Sequence, residues 1–324
     1  MKATRSSIPR LRIALLLVMG SLALISPRDS SSQSKDLKQV LAHADSLIAY
    51  QQADQTPYHL HYDLVSTAMD GQTTNGTLDF WFVDRQHQRE WITIGSYYWD
   101  WTKVGEAVTS NTAGFEPLRI MEFFWYWRRP DAVIEEMSDL QALPGMKKVK
   151  TKLDAELCAA DTFSEVCVDA TRGNYVRARE GALSAVYAQW RPVGDRFATT
   201  DFALFQKKKM IFHAVGTIEL MKDADTVFDQ SKRTYPSPPE KDKLEPKLIH
   251  HTQSIAEAYG SALVHVWVDS HGNVTNVELM DADEKSVAGA ALRTAKTCKY
   301  IPAERNGSPV PSETTYLYTT WGGL

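Results

Sequence analysis

Histidine and carboxylate side chains at alternating positions are the first residues in this sequence that could do chemistry. His59, His61 and Asp63 lie in a segment of strand-like composition, so all three side chains would point to one face of a strand. Imidazole and carboxylate groups on one face fit a metal site. The same pattern is typical of a solvated strand face. We favour that second interpretation and predict no metal site.

Signatures of catalysis or of nucleotide binding do not occur in the chain. The sequence contains no G-x-S-x-G, H-E-x-x-H, P-loop or G-x-G-x-x-G motif. Clustered carboxylates occur at Glu135 and Glu136 and at Asp281, Asp283 and Glu284, but these positions are typical of helix starts and of the protein surface. We therefore predict no catalytic residues, no cofactor and no enzymatic activity.

Aromatic side chains are concentrated in the first half of the chain. They are Trp81, Trp91, Trp99, Trp101, Phe123, Phe124, Trp125, Tyr126 and Trp127. Six of them are candidates for lining an apolar cavity that holds acyl chains: Trp81, Trp91, Trp99, Phe123, Phe124 and Trp127. In this interpretation the segment from Phe123 to Trp127 forms a lid helix. A packed hydrophobic core is the alternative and accounts for the same residues.

The N-terminus has the composition of an export signal. Four basic residues within the first twelve precede an apolar run from Ile13 to Ile25. That run is about 13 residues long, short of the roughly 20 that a spanning helix needs. We predict a cleaved signal peptide over residues 1–33 and an exported protein. An uncleaved signal anchor in the inner membrane is the alternative.

The three cysteines divide into a pair and a single residue. Cys158 and Cys167 flank a short polar segment between two strand-like arms, which would bring the two thiols together. Because an exported protein meets an oxidising compartment, we predict a disulfide between them; two ordinary buried thiols are the alternative. Cys298 is interpreted as a buried structural cysteine.

The length and charge of the chain limit its organisation and its partners. A chain of 324 residues is longer than one ordinary core supports and predicts about two domains. The formal net charge of −4 argues against a nucleic-acid partner, because a nucleic-acid surface needs a basic excess. A segment rich in proline and charge, residues 233–247, is the predicted linker between domains at 34–232 and 248–324.

The first predicted domain combines an amphipathic helix with a long series of strands. Apolar residues recur at helical spacing in residues 36–53. About four strand-like runs, a helical insert and about six more runs follow, separated by turn signals. A strongly curved antiparallel half-barrel with helices, in an α+β fold class, accounts for this order; a lipocalin-like closed barrel or a plain α+β sheet is the alternative. The element order resembles the LolA/LolB family of periplasmic lipoprotein carriers, which implies binding of acyl chains.

The C-terminal segment has a strand–turn–strand–helix–strand order. A strand at residues 262–269 leads into a tight turn in which Gly272 supplies a permissive conformation. A second strand, a helix-like segment at 284–299 and a last β-rich run at 314–321 follow. This order resembles the C-terminal domain of the TonB energy-transducer family. The matching residues are Gly260, Val264, Val266, Val268, Asp269, Gly272, Val274, Val277, Ala291, Leu292, Tyr300, Pro302, Asn306, Gly307 and Pro311.

The resemblance implies a β-β-α-β module in the periplasm of a Gram-negative cell and a way to bind a partner. In the family, the last strand offers its edge to a short peptide of an outer-membrane receptor. The corresponding edge here is Thr314, Thr315, Tyr316, Leu317, Tyr318, Thr319 and Thr320. The sequence departs from the family where Cys298 replaces a usual aromatic residue and where no Tyr-Pro pair precedes Gly260. Those departures put partner specificity in doubt.

We therefore predict a non-catalytic cell-envelope protein that docks to an envelope partner and is linked to outer-membrane transport. The partner would be an outer-membrane receptor or a second copy of the domain. The alternative is a periplasmic carrier or sensor of lipid, in which the C-terminal module serves dimerisation. At about 3.1 Å per residue, a linker of a dozen residues reaches only about 40 Å, which argues against energy transduction across the periplasm.

Overall fold

The computed structural model describes the chain in eight stretches. These are residues 39–49, 56–128, 147–150, 155–160, 164–221, 227–229, 233–236 and 244–320. The predicted signal peptide, residues 1–33, lies outside the described residues. Of the helices in these stretches, none combines the length and the apolar character needed to cross a membrane.

A large, curved antiparallel sheet forms the first part of the chain. Its strands are β1 (Tyr58–Thr67), β2 (Thr73–Asp84), β3 (His87–Ile94), β4 (Tyr97–Val104), β5 (Ala107–Ala113), β6 (Lys147–Lys150), β7 (Ala155–Ala160), β8 (Ser164–Asp169), β9 (Tyr175–Glu180), β10 (Leu183–Val193), β11 (Arg196–Gln206) and β12 (Lys209–Leu220). The spatial order is β5-β4-β3-β2-β1-β12-β11-β10-β9-β8-β7-β6, so the first and last strands pair in the middle. Among the described strands the sheet stays open, as in the predicted half-barrel.

Two helices cover one face of this sheet. Helix α1 spans residues 39–46, and helix α2 is Leu118–Arg128, which begins just after Pro117. The ring of Phe123 on α2 lies 5.1 Å from the rings of both Phe202 and Phe212. Because side chains alternate between the faces of a strand, these rings belong to one buried layer between α2 and the sheet.

The other face of the sheet is covered in part by residues of the predicted linker. Arg233 Nη1 and Tyr235 OH donate to Asp100 Oδ2 at 2.8 and 3.1 Å. The Tyr235 ring also stacks on Tyr98 and lies 5.7 Å from the ring of Trp91. Asp100 is fully buried beneath these contacts. Residues 233–236 are thus anchored to the sheet, which shortens the extended linker predicted from composition.

A smaller α+β unit follows. Its elements are β13 (Lys247–His250), β14 (Gly260–Val268), β15 (Val274–Ala282), α3 (Lys285–Thr297), β16 (Lys299–Ile301), β17 (Ala303–Arg305), β18 (Ser308–Val310) and β19 (Ser312–Thr320). Strands β15, β14 and β19 form an antiparallel sheet with β14 in the centre. Helix α3 packs on one face of it. This second core contains Val264, Val266, Val287, Ala291, Tyr316 and Tyr318.

The turn between β14 and β15 follows from its local sequence. Asp269 Oδ1 accepts hydrogen bonds from the main-chain N–H of His271 and Asn273 at 2.8 and 2.9 Å. Gly272 has a φ of +80°, which favours glycine. A Cβ at this position would collide with the carbonyl oxygen of Tyr300.

The large antiparallel sheet with its helices and the smaller α+β unit confirm the predicted α+β fold class. The smaller unit also contains two short strand pairs, β13–β16 and β17–β18.

Candidate functional site

Strand β19 lies at the edge of the second sheet. It pairs with β14 along its whole length, from Gly260 opposite Thr320 to Val268 opposite Ser312. Among the described strands, none pairs with its other side. All seven residues of the edge predicted from the sequence lie in this strand. An unpaired strand edge is the element that an extended peptide needs for β-augmentation.

The main-chain direction along β14 shows which groups face β15. Ser261 N donates to Asp283 Oδ2 at 2.7 Å, and Ser261 O accepts from Asp283 N at 2.9 Å. Further along, Trp267 O accepts from Thr275 Oγ1 at 3.2 Å. Alternate residues of a strand point their main-chain groups to opposite sides. The odd-numbered residues of β14 therefore face β15, and the even-numbered residues face β19.

This alternation assigns the main-chain groups that β19 has available. Val264 of β14 pairs with Tyr316, so the main chain of Tyr316 is turned toward β14. The residues that alternate with it are Thr315, Leu317 and Thr319. Their N–H and C=O groups point away from β14, toward the side at which a further strand would add.

The side chains of β19 divide between the two faces of the sheet. Tyr316 and Tyr318 are buried against α3, and Tyr318 OH donates to Ser254 O at 2.6 Å. Leu317 lies on the opposite face and is 46% exposed. That opposite face is directed toward α2, the helix that packs on the large sheet, because residues of α2 and of β19 border the same cavity.

A cluster of charged residues joins α2 to the end of β15. We call Arg119, Glu122, Asp281 and Asp283 the seam cluster. Arg119 Nη1 lies 2.8 Å from Glu122 Oε2 and 2.6 Å from Asp283 Oδ1, and Arg119 Nε lies 3.0 Å from Asp281 Oδ2. Arg119 Nη2 also donates to the carbonyl oxygen of Ala282 at 3.0 Å. One guanidinium group thus binds both parts of the chain.

Burial perturbs the ionisation of the seam cluster. Burial raises the pKa of Glu122 to about 8, although the charge of Arg119 acts against this shift. Burial likewise raises the pKa of Asp281, again opposed by Arg119. For Arg119, burial lowers the pKa, but Glu122 and the two aspartates outweigh it and raise the pKa overall. Glu122 Oε1 is buried and accepts no hydrogen bond.

An apolar cavity of about 340 Å³ lies beside the seam cluster. We call it the seam cavity. It is bordered by Leu118, Met121, Glu122, Trp125, Tyr126, Glu180, Gly181, Ala182, Leu183, Gln206, Tyr259, Gly260, Ser261, Asp283, Leu317, Thr319 and Thr320. Trp125, Leu317 and Thr319 are its exposed members, whereas Glu122 is only 8% exposed. The cavity therefore opens beside these three residues and has Glu122 in its interior.

The structure does not bring the six predicted cavity residues together. Phe123 and Trp127 fill the layer between α2 and the sheet. Trp81 lies on the opposite face, where its ring stacks on His59 at 4.7 Å. Trp91 is also on that face, beneath Tyr235. The physical reason is the two-residue alternation of strands, which separates Trp81 from its neighbours in the buried layer.

Trp99 and Phe124 do border open space on the α2 side. Their rings contact each other at 5.8 Å and border one cavity of about 780 Å³ with Trp125 and Arg128. Trp99 and Trp127 border a second cavity of about 430 Å³ with Glu90. Burial raises the pKa of Glu90, and its partner Arg128 opposes this shift. The surfaces that line these two cavities are more polar than the surface that lines the seam cavity.

The alternating histidines share a carboxylate from the neighbouring strand. His59 Nε2 and His61 Nδ1 each lie 2.8 Å from Asp79 Oδ1. His61 Nε2 is 3.6 Å from Asp63, whose side chain is largely exposed. Partial burial alone would lower the pKa of His61, but the hydrogen bond to Asp79 raises it overall. The arrangement is that of two histidines hydrogen-bonded to one carboxylate on a partly solvated face, and the absence of a metal stays a prediction.

Cys158 and Cys167 are joined in a disulfide, as predicted. They lie directly opposite each other on β7 and β8, so the bond links two adjacent strands near one end of the large sheet. Glu156 lies close to both sulfur atoms, but disulfide sulfurs are not thiolate ligands. Cys298 is a buried free thiol, and burial raises its pKa.

The C-terminal unit has a recognisable family pattern. Residues 255–320 match the family described as Gram-negative bacterial TonB protein C-terminal. They form a TonB-type domain. The match spans the central sheet and helix α3, and it includes the edge strand β19 of this TonB-type domain. It supports a cell-envelope protein. No curated protein has a significant match to the chain.

Several solved structures are similar to part of the chain. A Vibrio parahaemolyticus domain assigned to outer membrane lipoprotein-sorting proteins is 8% identical, with a TM-score of 0.39, covering 63% of this chain and 98% of its own. A LolA superfamily protein from Nitrosomonas europaea is 9% identical, with a TM-score of 0.32, covering 60% and 98%. The Pseudomonas aeruginosa MucA/MucB complex is 10% identical, with a TM-score of 0.29, covering 83% and 99%. Similarities of this size support no functional conclusion.

The seam cluster was missed by reasoning from the sequence. Asp281 and Asp283 were expected at a helix start and at the surface. They do come just before α3, but their side chains lie against Arg119 and are only 11% and 3% exposed, so the surface prediction is wrong. A signal was present in α2, where Arg119 and Glu122 are spaced i, i+3 within an otherwise apolar helix. Charged residues are rarely buried unless they are paired, so this pair could have suggested a buried contact. Its partners, more than 160 residues later in the chain, could not be read from the sequence.

Proposed function

We propose that this protein is a non-catalytic envelope protein whose TonB-type domain binds an extended segment of a partner along β19. The observation that carries the proposal is the edge position of β19 in the sheet β15-β14-β19. A partner strand would pair with the outward main-chain groups of Thr315, Leu317 and Thr319. Export to the periplasm is part of the same proposal, and so is the absence of enzymatic activity.

Two properties of β19 support pairing with a peptide. Its nine residues, Ser312–Thr320, are long enough for several pairs of main-chain hydrogen bonds. Its inward tyrosines are held in the core with α3, so the strand is already ordered before a partner arrives. A pre-ordered strand lowers the entropic cost of binding.

The proposal is tested by selecting binders from a displayed library of random heptapeptides with the full-length mature chain. Selected peptides are then compared on two variants at one position. Leu317→Pro removes an outward N–H, which an edge strand tolerates, and should abolish binding. Leu317→Ala keeps that N–H and should weaken binding only modestly.

The readout that locates binding is hydrogen exchange of the TonB-type domain with and without a selected peptide. We expect slower exchange at the amides of Thr315, Leu317 and Thr319. Peptides that bind Leu317→Pro as well as the wild type would contradict the proposal, as would protection confined to another surface. Failure to select any peptide, with sedimentation showing pairing of two chains through β19, would favour self-association instead.

A second candidate function is carriage of an acyl chain by the first domain. The observation that favours it is the cavity of about 430 Å³ in which four aromatic residues lie beside Gln88, Glu90 and Arg128; the aromatic residues are Phe80, Trp99, Trp101 and Trp127. Native mass spectrometry of the protein purified from the periplasm tests this candidate. Bound species with acyl-chain masses would support it, and their loss in a Trp99→Glu variant would place them in this cavity. A ligand-free mass would argue against carriage.

A further inference from the structure

We propose that the seam cavity is the specificity pocket of the docking site and receives a lysine side chain of the partner segment at the residue opposite Leu317. The inference rests on the proposed function, since it requires a strand paired with β19. Beyond the proposed function, we infer that residues of the first domain form part of a pocket beside β19, and that the partner residue entering this pocket is a lysine. Specificity would then come from both parts of the chain.

The position of the cavity relative to β19 gives the residue opposite Leu317 access to it. Leu317 and Thr319 border the seam cavity with their side chains. In an antiparallel pair, directly opposed residues place their side chains on the same face of the sheet. A partner residue opposite Leu317 would therefore point to the same side as Leu317. Its side chain would enter beside Leu317 and Trp125, which together with Thr319 are the exposed residues of the cavity.

The walls of the cavity suit the stem of a lysine. Leu118, Met121 and Leu183 supply aliphatic surface, and Trp125 supplies an aromatic face at the mouth. Lysine buries its methylene groups along such surfaces while its charged end seeks polar partners. A cation close to a tryptophan face gains further attraction.

The interior of the cavity suits the ammonium end. Glu122 Oε1 is buried without a hydrogen-bond donor, and Glu122 and Asp283 are both among the residues that border the cavity. The seam cluster sets the one guanidinium of Arg119 against three carboxyl groups, so an ammonium group that enters the cavity would stabilise the ionised form of Glu122 and the excess of negative charge that ionisation creates. An ammonium group would supply the missing donor and reduce that excess.

The test uses pairs of synthetic peptides that differ only at the residue opposite Leu317. Each selected peptide is made with lysine and with norleucine at that residue, and binding to the full-length mature chain is measured by fluorescence anisotropy. We expect the lysine form to bind the wild type about tenfold or more tightly than the norleucine form. On Glu122→Gln this preference should disappear, whereas Trp125→Ala should weaken both forms.

Glu278→Gln is the matched control, because Glu278 is an exposed carboxylate on β15, the strand at the far edge of the sheet. This variant should retain the lysine preference, and thermal denaturation of each variant establishes that it is folded. Equal affinities of the two forms for the wild type would overturn the inference, as would a preference that persists in Glu122→Gln. If such peptides still require the N–H of Leu317, the docking proposal stands and only the pocket assignment fails. If no peptide binds, both fail.

Discussion

Arg119 Nη1 lies 2.6 Å from Asp283 Oδ1, although the two residues are 164 positions apart in the chain. The contact joins α2, which packs on the large sheet, to the residue that follows β15 of the TonB-type domain. Because both side chains are nearly fully buried, the pair is shielded from solvent and from salt. A buried ion pair therefore contributes to the association of the two domains.

Removal of the shared guanidinium should destabilise the protein strongly. Arg119→Met would leave the buried carboxyls of Glu122, Asp281 and Asp283 without their cation. Breaking one side of a buried ion pair typically costs about 3 to 5 kcal/mol. We expect a loss of that order in the free energy of unfolding, measured by urea denaturation at pH 7.

The matched control for this prediction is an exposed ion pair between the domains. Lys207 Nζ lies 2.5 Å from Glu284 Oε1, but the lysine side chain is 67% exposed. Exposed pairs contribute about 0 to 1 kcal/mol, so Lys207→Met should change stability little. Similar losses in both variants would contradict the assigned role of Arg119.

Glu122→Gln should alter the pH dependence of stability. The pKa of Glu122 rises from an ordinary value of 4.5 to about 8 in the folded protein. A carboxyl with a raised pKa takes up a proton on folding, so its contribution to stability falls as pH rises from about 4.5 to about 8. The glutamine variant should therefore gain stability relative to the wild type across this range and show a constant difference above it.

The charged neighbours of Glu122 also affect this measurement. Arg119 opposes the upward shift of the Glu122 pKa. Asp281, whose own pKa is raised by burial, makes stability change with pH in the same direction in the wild type and in the glutamine variant. Thermal denaturation between pH 5 and pH 9 provides the comparison, with Glu278→Gln as an exposed control. A difference from the wild type that does not vary with pH would refute the assigned ionisation of Glu122.

The disulfide should account for all but one of the cysteines. In unfolded, unreduced protein, thiol labelling should modify Cys298 alone, because Cys158 and Cys167 are bonded. The Cys158→Ser, Cys167→Ser double variant should lose about 2 to 3 kcal/mol of stability, the chain-entropy value for a loop of this length. Labelling of three thiols would show that the bond is absent from the isolated protein.

Residues 233–236 should detach from the sheet when Asp100 loses its charge. Asp100→Asn weakens the contacts from Arg89, Arg233 and Tyr235 together. Limited proteolysis with trypsin should then cleave after Arg233 faster than in the wild type. Asp63→Asn, which changes a largely exposed carboxylate, should leave the cleavage rate unchanged. Equal rates in Asp100→Asn and the wild type would argue that other contacts hold this segment.

Short sequence patterns were sufficient to predict the elements whose conformation depends mainly on residues close together in the chain. The turn after β14 was predicted from Gly272 and the polar residues around it, and the structure shows the left-handed φ that makes glycine favourable there. The edge strand was predicted from the family pattern within two residues of Ser312–Thr320. The disulfide followed from two cysteines on neighbouring strand-like segments.

Contacts between distant segments could not be predicted in the same way. Trp81, Trp91 and Trp99 were grouped by composition, although alternation places Trp81 and Trp91 on the face opposite to that of Trp99. The seam cluster depends on how the TonB-type domain is placed against α2, and no local pattern in Asp281 or Asp283 specifies that. The anchoring of Tyr235 depends likewise on a pocket formed by strands more than 120 residues earlier.

The anchoring of residues 233–236 has a consequence for the strength of the contact between domains. Only the residues between Pro236 and Lys247 connect the anchored segment to β13, and at most about 3.6 Å per residue they span about 40 Å. A short tether keeps the local concentration of one binding surface near the other in the millimolar range. The contact between the domains therefore needs less intrinsic affinity to remain closed than a contact between two separate molecules would. Cutting the tether would remove this advantage without changing any contact between the domains.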